Sequence, residues 1–412
     1  MRWLYQIFIL IYQAGVLVVS WFSPKARLWR QGRKGQFKKM QAAFAERDRL
    51  AWFHCASLGE FEQGRPVIEA FRKEFPEYKV LLSFFSPSGF EIRKNYEQAD
   101  YIFYLPLDTR ANVRRFLNIW KPSVAIFVKY EFWFNYLNAL HERRILSLVI
   151  SANFRPGQHF FRPYGKWFRR QLKKLSFIFV QNEKSLKLLQ KAGITNAAIS
   201  GDTRFDRVAA IAGQPVNFPQ FDDFARDSQI LVAGSTWPAD EALLLPLINN
   251  PAGKLKFIIA PHEIQPQHIQ NLKRKIKVRT EIFSELSANV PADTRVLIID
   301  RIGMLSGLYR LGTLAYIGGG FGRGIHNILE AVTFGLPVFF GPRHQQFAEA
   351  LELIERGGAF PVHDAETLER GVKACIENPV ALQNASAVCL KYIAVKKGAT
   401  DAIIDFLKKQ LP

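Results

Sequence analysis

Short apolar runs alternate with helical patterns along the chain from residue 50 onward. Each run is bounded by polar or turn-forming residues, as is typical of strands, and the stretches between the runs place apolar residues at helical spacing. The strand-like runs of the first half are LAWFHCAS, KVLLSFFS, IFYLPL, VAIFVKY, ILSLVISAN and FIFVQN. Because strands that are buried on both faces are apolar throughout, this pattern predicts a parallel sheet that is covered by helices on both sides.

A second series of the same kind follows a polar, proline-containing stretch at 213–229. Its strand-like runs are QILVAGS, KFIIAPH, RVLIID, LAYIGGG and PVFFGP. The sequence therefore predicts an α/β protein with two tandem Rossmann-like, doubly wound domains that face each other across a cleft, with ligands at the carboxyl ends of the strands. The predicted divisions are an N-terminal segment at 1–40, a first domain at 41–208, a linker at 209–224, a second domain at 225–384, and a C-terminal helix at 385–412 that packs back towards the first domain.

The N-terminal segment combines a long apolar run with a basic flank. Residues 3–22 contain no charged side chain, and at about 1.5 Å per residue they are long enough for the ~30 Å hydrocarbon layer of a membrane. Residues 25–39 hold seven Lys or Arg and no acid, which places this flank and the folded body after it on the cytoplasmic side. We expect an anchor helix that spans the membrane or lies on it, and a core helix of the first domain is the alternative.

The charge balance indicates an anionic partner. Lys and Arg number 56 among the 412 residues, against 36 Asp or Glu, which gives a formal net charge of +20. A phosphorylated substrate, an acidic lipid and a nucleic acid all fit that charge. Residues 155–174 carry basic and aromatic side chains without an acid, which suits an acidic lipid surface or a single-stranded nucleic acid. The three cysteines form no CxxC pair, so the sequence favours a reducing compartment.

Two glutamates follow predicted strands of the first domain. Glu60 comes after LAWFHCAS, at the start of a helical pattern, and Glu131 comes directly after VAIFVKY. Open α/β sheets place their chemistry at this end of the strands, where a carboxylate can take a proton from an attacking hydroxyl. Glu131 can orient the acceptor or support Glu60. The competing interpretation of each is an acid in a first helical turn, which the helix dipole favours without any function.

Other polar residues at predicted strand ends are candidates for ligand contacts. Ser235 and Thr236 follow one strand of the second domain, and His262 follows the next. Hydroxyls and the amides at the start of the following helix offer contacts to an anion. Arg204 closes the first series and offers a fixed cation to a phosphate. Each signal is weak alone, and the prediction depends on the position that they share.

The segment 317–342 predicts a strand, a glycine-rich turn, a helix and a second strand. The glycines of the turn are Gly318, Gly319, Gly320, Gly322 and Gly324. They let the backbone approach a ligand closely, and exposed amides in such a turn can bind a phosphate. His326, Asn327 and Glu330 open the predicted helix, where Glu330 can accept hydrogen bonds from ribose hydroxyls. A tight turn without a ligand is the alternative.

Motifs of several other enzyme classes are absent from the sequence. The glycines at 318–324 do not form GxGxxG, and no GxxxxGK[ST] occurs, so dehydrogenases and P-loop enzymes lose support. The second histidine of HExxH does not follow His262, and no Asp-x-Asp motif exists. No GxSxG nucleophile motif is present either. We therefore expect neither a catalytic metal nor a cofactor.

Taken in order, these segments resemble the 3-deoxy-D-manno-octulosonic acid (Kdo) transferase family of lipopolysaccharide synthesis, whose members have the glycosyltransferase B (GT-B) fold. The resemblance spans nearly the whole chain. Besides the N-terminal anchor, the matching motifs are HCASLGE at 54–60, YEFW at 130–133, SAN at 151–153, GDTRFD at 201–206, GST at 234–236, GGG at 318–320, GIHNILE at 324–330 and GP at 341–342.

The resemblance implies an inverting enzyme that transfers Kdo from CMP-Kdo to a phosphorylated lipid A precursor of the lipid IVA type. It places the enzyme at the cytoplasmic face of the bacterial inner membrane, with no nucleic-acid partner. Glu60 matches the family's general base, and Glu131 completes the predicted catalytic pair. The predicted donor residues, for a CMP-sugar-binding second domain, are Arg204, Ser235, Thr236, His262, Gly319, Gly320, Gly324, His326, Asn327 and Glu330. The predicted acceptor residues, for an acceptor-binding first domain, are Ser57, Gly59, Ser151, Asn153 and Arg155.

Two other functions are compatible with parts of the sequence. Another GT-B transferase would have the same architecture but would use a UDP-sugar and a different lipid-linked acceptor. A non-catalytic, membrane-tethered binder of acidic lipid or RNA would explain the charge and the aromatic residues. Such a binder would not explain why Glu60 and Glu330 stand at strand ends in two domains.

Overall fold

A computed structural model describes residues 2–44, 49–215, 217–251 and 253–411 of the chain. It divides into two compact domains, the first formed by 1–207 with 397–412 and the second by 208–396. Each domain contains a parallel sheet with helices between successive strands. The predicted α/β class with two Rossmann-like, doubly wound domains is therefore confirmed.

The described residues of the first domain form a sheet of seven parallel strands. These are β1 (Arg49–Cys55), β2 (Tyr78–Phe84), β3 (Tyr101–Tyr104), β4 (Val124–Val128), β5 (Leu146–Ala152), β6 (Phe177–Val180) and β7 (Ala197–Ile199). They lie in the order β3-β2-β1-β4-β5-β6-β7. The chain thus runs outward from β1 on one side and from β4 on the other, and the strand order reverses between β1 and β4. In open sheets such a switch point is where ligands bind.

Helices cover both faces of this sheet. They are α1 (Arg2–Val19), α2 (Pro24–Arg33), α3 (Gln36–Ala43), α4 (Leu58–Glu74), α5 (Pro87–Arg93), α6 (Arg110–Trp120), α7 (Phe134–Glu142), α8 (Lys166–Leu172), α9 (Glu183–Lys191) and α10 (Thr203–Gly213), with short 3₁₀ helices at His159–Phe161 and Pro163–Gly165. Successive residues of β1 point to opposite faces. Trp52 accordingly packs against Phe116 in one buried cluster, and Phe53 packs against Phe71 in another.

The N-terminal helix α1 lies against the first domain. The Tyr5 hydroxyl donates to Asp108 Oδ2 at 2.5 Å, and Ile9 is 2% exposed. The opposite side of α1 is exposed, with Trp3, Leu4, Phe8 and Ile11 each at least 58% accessible. In the described part of the chain, no helix is both long enough and apolar enough to cross a membrane. The prediction of an anchor helix, which spans the membrane or lies on it, is not confirmed and stays a prediction.

The basic flank after α1 is also folded into the first domain. It forms α2 and α3, and the Arg33 guanidinium lies 3.8 Å from the ring centroid of Trp29. Arg33 donates to the carbonyl oxygens of Phe85 at 2.8 Å and Leu105 at 3.1 Å. Burial lowers the pKa of Arg33 to about 9. The separate segment predicted at 1–40 thus belongs to the domain that follows it.

The described residues of the second domain repeat the arrangement with another seven parallel strands. These are β8 (Ile230–Thr236), β9 (Lys256–Pro261), β10 (Thr280–Ile282), β11 (Val296–Ile298), β12 (Leu314–Ile317), β13 (Val338–Phe340) and β14 (Ala359–Pro361). Their order is β10-β11-β9-β8-β12-β13-β14, so this sheet reverses between β8 and β12. The carboxyl ends of these two strands define the second switch point.

The described residues of the predicted linker at 209–224 include helical segments. These are the end of α10, a 3₁₀ helix at Pro219–Phe221 and the start of α11, and Phe221 and Phe224 are fully buried. The prediction missed this because the stretch shows little periodicity. The helices of the second domain are α11 (Asp222–Ala225), α12 (Pro238–Asn249), α13 (Pro266–Lys275), α14 (Leu305–Leu308), α15 (Leu329–Val332), α16 (Ala348–Arg356), α17 (Ala365–Glu377) and α18 (Pro379–Lys396), with further 3₁₀ helices at Phe283–Glu285 and Tyr309–Leu311.

The chain returns to the first domain through α19 (Ala399–Gln410). Gly398, with φ 112°, separates it from α18, so the single helix predicted at 385–412 is two helices and only the second packs on the first domain. The Asp206 carboxylate accepts the amides of Gly398 at 2.6 Å and Thr400 at 2.8 Å. Ile403 and Leu407 are fully buried in the core of the first domain.

Asp108 gives this arrangement a testable pH dependence. Its carboxyl is fully buried, and burial raises its pKa to about 7 although Tyr5 and the amides of Asn135 and Tyr136 donate to it. An unfolded Asp has a pKa of about 3.9, so unfolding releases a proton from Asp108 at any pH between the two pKa values. The free energy of unfolding therefore falls as the pH rises through 7. We expect the difference in thermal midpoint between the wild type and Asp108→Asn to narrow from pH 5 to pH 8.

The comparison of the wild type with Asp108→Asn removes the contribution of all other titrating groups, since both proteins contain them. A difference that widens with pH would show instead that the three donors keep Asp108 ionised.

Candidate functional site

The switch point of the first sheet carries the predicted catalytic glutamate Glu60. Strand β1 ends at Cys55, Ser57 precedes α4, and Glu60 lies in the first turn of that helix. Its carboxylate is half-buried and accepts a hydrogen bond from the Ser57 hydroxyl. The folded chain thus holds a carboxylate at the carboxyl end of a central strand, where a general base requires it. Gly59, one residue earlier, is exposed.

Glu131 lies at the end of β4, the neighbour of β1 across the switch point. Its Oε2 accepts the indole N–H of Trp133 at 2.8 Å and lies 3.3 Å from His54 Nε2. His54 is fully buried, and its Nδ1 lies 2.9 Å from the Ser83 hydroxyl. Glu131 is therefore fixed by a buried polar chain, which suits the predicted role of supporting Glu60.

Cys55, at the end of β1, is a fully buried thiol. Burial raises the pKa of Cys55 well above its usual value, and the negative charges of Glu60, Glu131 and Glu62 raise it further. Because a thiol with a raised pKa is a poor nucleophile, Cys55 is not a candidate for covalent chemistry.

The predicted acceptor residues at the end of β5 have different surroundings. Ser151 is fully buried with φ 53°, and its hydroxyl lies 2.9 Å from that of Thr203, so it faces the interior. Asn153 is half-buried, and its Oδ1 accepts from Asn182 Nδ2 at 3.3 Å. Arg155 is exposed. Within this group, Arg155 is the residue whose side chain is open to a ligand, and Ser151 supports the strand end.

Arg204 lies in the first domain, whereas the other predicted donor residues lie in the second. Its Nε and Nη2 donate to Asp202 Oδ2 at 2.9 Å and 2.8 Å. Asp202 is 7% exposed, so the pair is anchored in the fold. The structure therefore gives Arg204 a carboxylate partner within the first domain.

The switch point of the second sheet brings Ser235 together with the glycine turn. A Cβ on Gly318 would lie 2.1 Å from the Ser235 carbonyl oxygen, so only glycine fits there. Ser235 has φ 54°, a conformation that non-glycine residues adopt mainly where the surrounding structure imposes it. Its side chain is half-buried, whereas the Thr236 hydroxyl is buried and donates to Glu241 at 3.2 Å. Ser235 is thus the hydroxyl that remains accessible.

The turn amides that were expected to bind a phosphate are largely engaged within the domain. Gly319 N donates to the buried carboxylate of Asp240 at 2.9 Å. The amides of Gly322 and Gly324 donate to the Gly319 carbonyl, and that of His326 donates to the Gly318 carbonyl. The expectation of an exposed amide cradle is therefore wrong for these residues, because the tight turn uses its own donors. Anion contacts at this end must come mainly from side chains.

The predicted helix after the turn is a single turn long. Helix α15 begins at Leu329, so His326 and Asn327 precede it and do not lie on its face. Glu330, in this helix, still contacts Asn327 and also Ser306 of α14. Its Oε1 accepts Asn327 Nδ2 at 3.2 Å, and its Oε2 accepts the Ser306 hydroxyl at 2.5 Å. The carboxylate is thereby oriented and keeps unused lone pairs for a ligand hydroxyl.

Three aromatic side chains stack at the carboxyl ends of β8, β9 and β12. The Trp237 and His262 rings lie 4.5 Å apart at 26°, and the His262 and His326 rings lie 4.6 Å apart at 30°. Trp237 Nε1 also donates to His326 Nε2 at 3.1 Å. His262 is exposed and His326 half-buried, so the stack borders solvent. Of the predicted donor residues, the structure thus brings His262 and His326 together in one stack.

Sequence reasoning missed several residues that organise these sites. Trp237, Asp240 and Ser306 in the second domain, and His54 with Trp133 in the first, make the contacts described above. A histidine or tryptophan inside or directly after an apolar strand is the sequence feature that could have identified residues such as His54 and Trp237. Across the described ranges, no group of three or more His, Cys, Asp or Glu side chains is arranged to hold a metal ion.

Sequence comparison relates the chain to one family. Residues 29–207 match the family model of 3-deoxy-D-manno-octulosonic-acid transferase (kdotransferase). The 3-deoxy-D-manno-octulosonic acid transferase of Rickettsia bellii is 28% identical over 381 residues, 88% of this chain and 88% of the relative. That of Haemophilus influenzae is 25% identical over 430 residues, 100% of this chain and 99% of the relative. The resemblance seen in the motifs is confirmed.

Structural comparison supports the fold. The UDP-GlcNAc 2-epimerase from Neisseria meningitidis, solved with bound UDP-GlcNAc, matches with a TM-score of 0.62 at 17% sequence identity. The match covers 88% of this chain and 100% of that one. Both consist of α/β domains of the GT-B-like type. At this identity the likeness concerns the fold and not the reaction.

The contact between Gly318 and Ser235 is open to a direct test. A Gly318→Ala substitution forces the new Cβ against backbone atoms of Ser235 and Thr236, which cannot rotate away. We expect a loss of about 1–3 kcal/mol in the stability of the second domain, the usual range for an overpacked site. Gly322→Ala is the matched control, since only the Gly319 carbonyl oxygen lies near its added Cβ, at 3.5 Å. Equal thermal midpoints for the two variants would contradict the close approach.

Proposed function

Since this chain matches the Kdo transferase family model over 29–207 and is similar to Kdo transferases over most of its length, we propose that it transfers Kdo from CMP-Kdo to a phosphorylated lipid A precursor. The reaction inverts the anomeric carbon and takes place at the cytoplasmic face of the inner membrane. The observation that carries the proposal is the position of Glu60 at the switch point of the first sheet, in a chain related to Kdo transferases over its whole length.

The proposed chemistry is a single displacement. An acceptor hydroxyl attacks the anomeric carbon of Kdo from the side opposite CMP, the new C–O bond forms, and the bond from that carbon to the phosphate oxygen breaks. Glu60 takes the proton that the hydroxyl loses, and CMP leaves with the electron pair. The Ser57 hydrogen bond orients the Glu60 carboxylate, and the Trp133 and His54 contacts hold Glu131 in place at the end of β4.

The proposed donor site is the second switch point. The accessible Ser235 hydroxyl and the two stacked histidines offer hydrogen bonds to the single phosphate of CMP-Kdo, and Glu330 offers its free lone pairs to the ribose hydroxyls. Side chains are proposed to bind the phosphate in place of the turn amides, because those amides donate to oxygen atoms within the second domain. Arg204, held by Asp202, stays a prediction for this site.

We propose that the exposed face of α1, formed by Trp3, Leu4, Phe8 and Ile11, lies in the membrane interface. Helix α1 adjoins the basic and aromatic stretch 155–174, because the Tyr5 ring lies 6.2 Å from that of Trp167. An apolar face next to basic side chains is typical of proteins that bind an acidic lipid surface. This position would bring the first domain to a lipid acceptor.

Replacing Glu60 tests the reaction. We expect Glu60→Gln to lower turnover roughly 10²- to 10⁴-fold, the usual contribution of a general base, while the thermal midpoint is retained. The assay incubates purified protein with a tetra-acylated lipid A precursor and freshly generated CMP-Kdo, and mass spectrometry counts the Kdo units added. Glu74→Gln, at the other end of α4, is the matched control and should keep full activity.

Each alternative function has its own outcome in this assay. Wild-type turnover with a UDP-sugar but not with CMP-Kdo would identify a different GT-B transferase. Binding of acidic lipid or RNA that is unaffected by Glu60→Gln, without turnover of any sugar nucleotide, would identify a non-catalytic binder.

Membrane docking is tested with Phe8→Ser combined with Ile11→Ser. Both side chains are exposed on α1, at 60% and 65%, so the change should leave the fold intact and lower co-sedimentation with phosphatidylglycerol vesicles several-fold. Ile92→Ser combined with Ile302→Ser is the control, since it removes two exposed apolar side chains elsewhere, at 58% and 85%. Equal sedimentation of the two double variants would rule out α1 as the docking element.

A further inference from the structure

Contacts of both the backbone and the ring hold Trp237. Its backbone N–H donates to the buried Asp240 carboxylate at 2.9 Å at the start of α12. Its ring stacks on His262, and its Nε1 lies 3.1 Å from His326 Nε2. Asp240 also accepts the Tyr316 hydroxyl at 2.8 Å, so the carboxylate is anchored to β12. Trp237 is therefore a rigid part of the second switch point.

The hydrogen bond from Trp237 determines the chemical form of His326. An indole N–H can only donate, so the Nε2 of His326 must be the acceptor and carry no proton. A neutral imidazole then has its proton on Nδ1. Throughout the described residues, His326 Nδ1 has no hydrogen-bond partner, and its N–H is available to a ligand.

The surroundings keep His326 neutral. Burial lowers its pKa, the stacked His262 lowers it further, and the charge of Asp240 acts in the opposite direction. Protonation would also place a hydrogen on Nε2 and break the bond from Trp237. The neutral Nδ1–H form is thus the one that agrees with the surroundings of the ring, which are Trp237, His262 and Asp240. Of these, Asp240 and His262 are the titratable groups.

We propose that Trp237 is a positioning residue, which locks His326 in the Nδ1–H form so that this N–H hydrogen-bonds the phosphate of the sugar nucleotide. The proposal rests on the proposed function for the identity of that nucleotide. No proton is transferred in this step: the N–H stays on His326 and stabilises the negative charge that the phosphate gains as its bond to the sugar breaks.

The test is Trp237→Phe, which keeps an aromatic ring for stacking but removes the N–H donor. The form of His326 is read from two-bond ¹H–¹⁵N correlation spectra of the ¹⁵N-labelled protein, with His326→Gln to assign the signal. We expect the Nδ1–H pattern in the wild type and a mixture of both tautomers in Trp237→Phe. CMP affinity, measured by titration calorimetry, should fall about three- to tenfold, the size of one net hydrogen bond. Trp21→Phe is the control and should change neither quantity.

The two readouts separate this inference from the proposed function. An unchanged tautomer in Trp237→Phe, or unchanged nucleotide affinity despite a changed tautomer, would overturn the positioning role. A wild-type protein that binds UDP and not CMP would overturn the proposed donor. The same variant would then be titrated with UDP, and the tautomer measurement, which needs no ligand, decides the role of Trp237 in either case.

Discussion

The reversal of strand order is the constraint on which both candidate sites depend. Where the chain leaves one strand to one side and its neighbour to the other, the two following loops diverge and leave room above the sheet. In the first domain this room lies between the ends of β1 and β4, which carry Glu60 and Glu131. In the second it lies between β8 and β12, which carry Ser235 and the glycine turn. The topology thus decides which residues can meet, before any side-chain chemistry.

In both domains an indole N–H fixes a polar side chain at this place. Trp133 donates to Glu131 in the first domain, and Trp237 donates to His326 in the second. These contacts fix polar groups that would otherwise adopt several rotamers or tautomers, as a preorganised site requires. Rigidity at the strand ends is also visible in the backbone, since Ser151 and Ser235 both have left-handed conformations directly at the ends of β5 and β8.

The longer strands could be predicted from the sequence, because burial on both faces makes them apolar throughout, as in β1 and β9. The short strands β7, β10 and β14 could not, since each has three residues and part of it is only half-buried. Candidate residues at strand ends were found because position alone selects them. Their hydrogen-bond partners were not, since Asp240 meets Gly319, and Ser306 meets Glu330, only in the folded domain. Helix α1 shows the same limit: an apolar run does not reveal that a Tyr5–Asp108 contact holds it on the domain.

The return of the chain through α19 has a consequence for how the protein is made. The rings of Phe177 and Phe179 on the first sheet pack against Phe406 of α19, and Asp206 caps that helix. During translation this part of the first sheet stays uncovered until the entire second domain has left the ribosome. The domain that is synthesised first is therefore completed last, and Glu60 at the end of β1 gains its finished scaffold only when the second domain already exists.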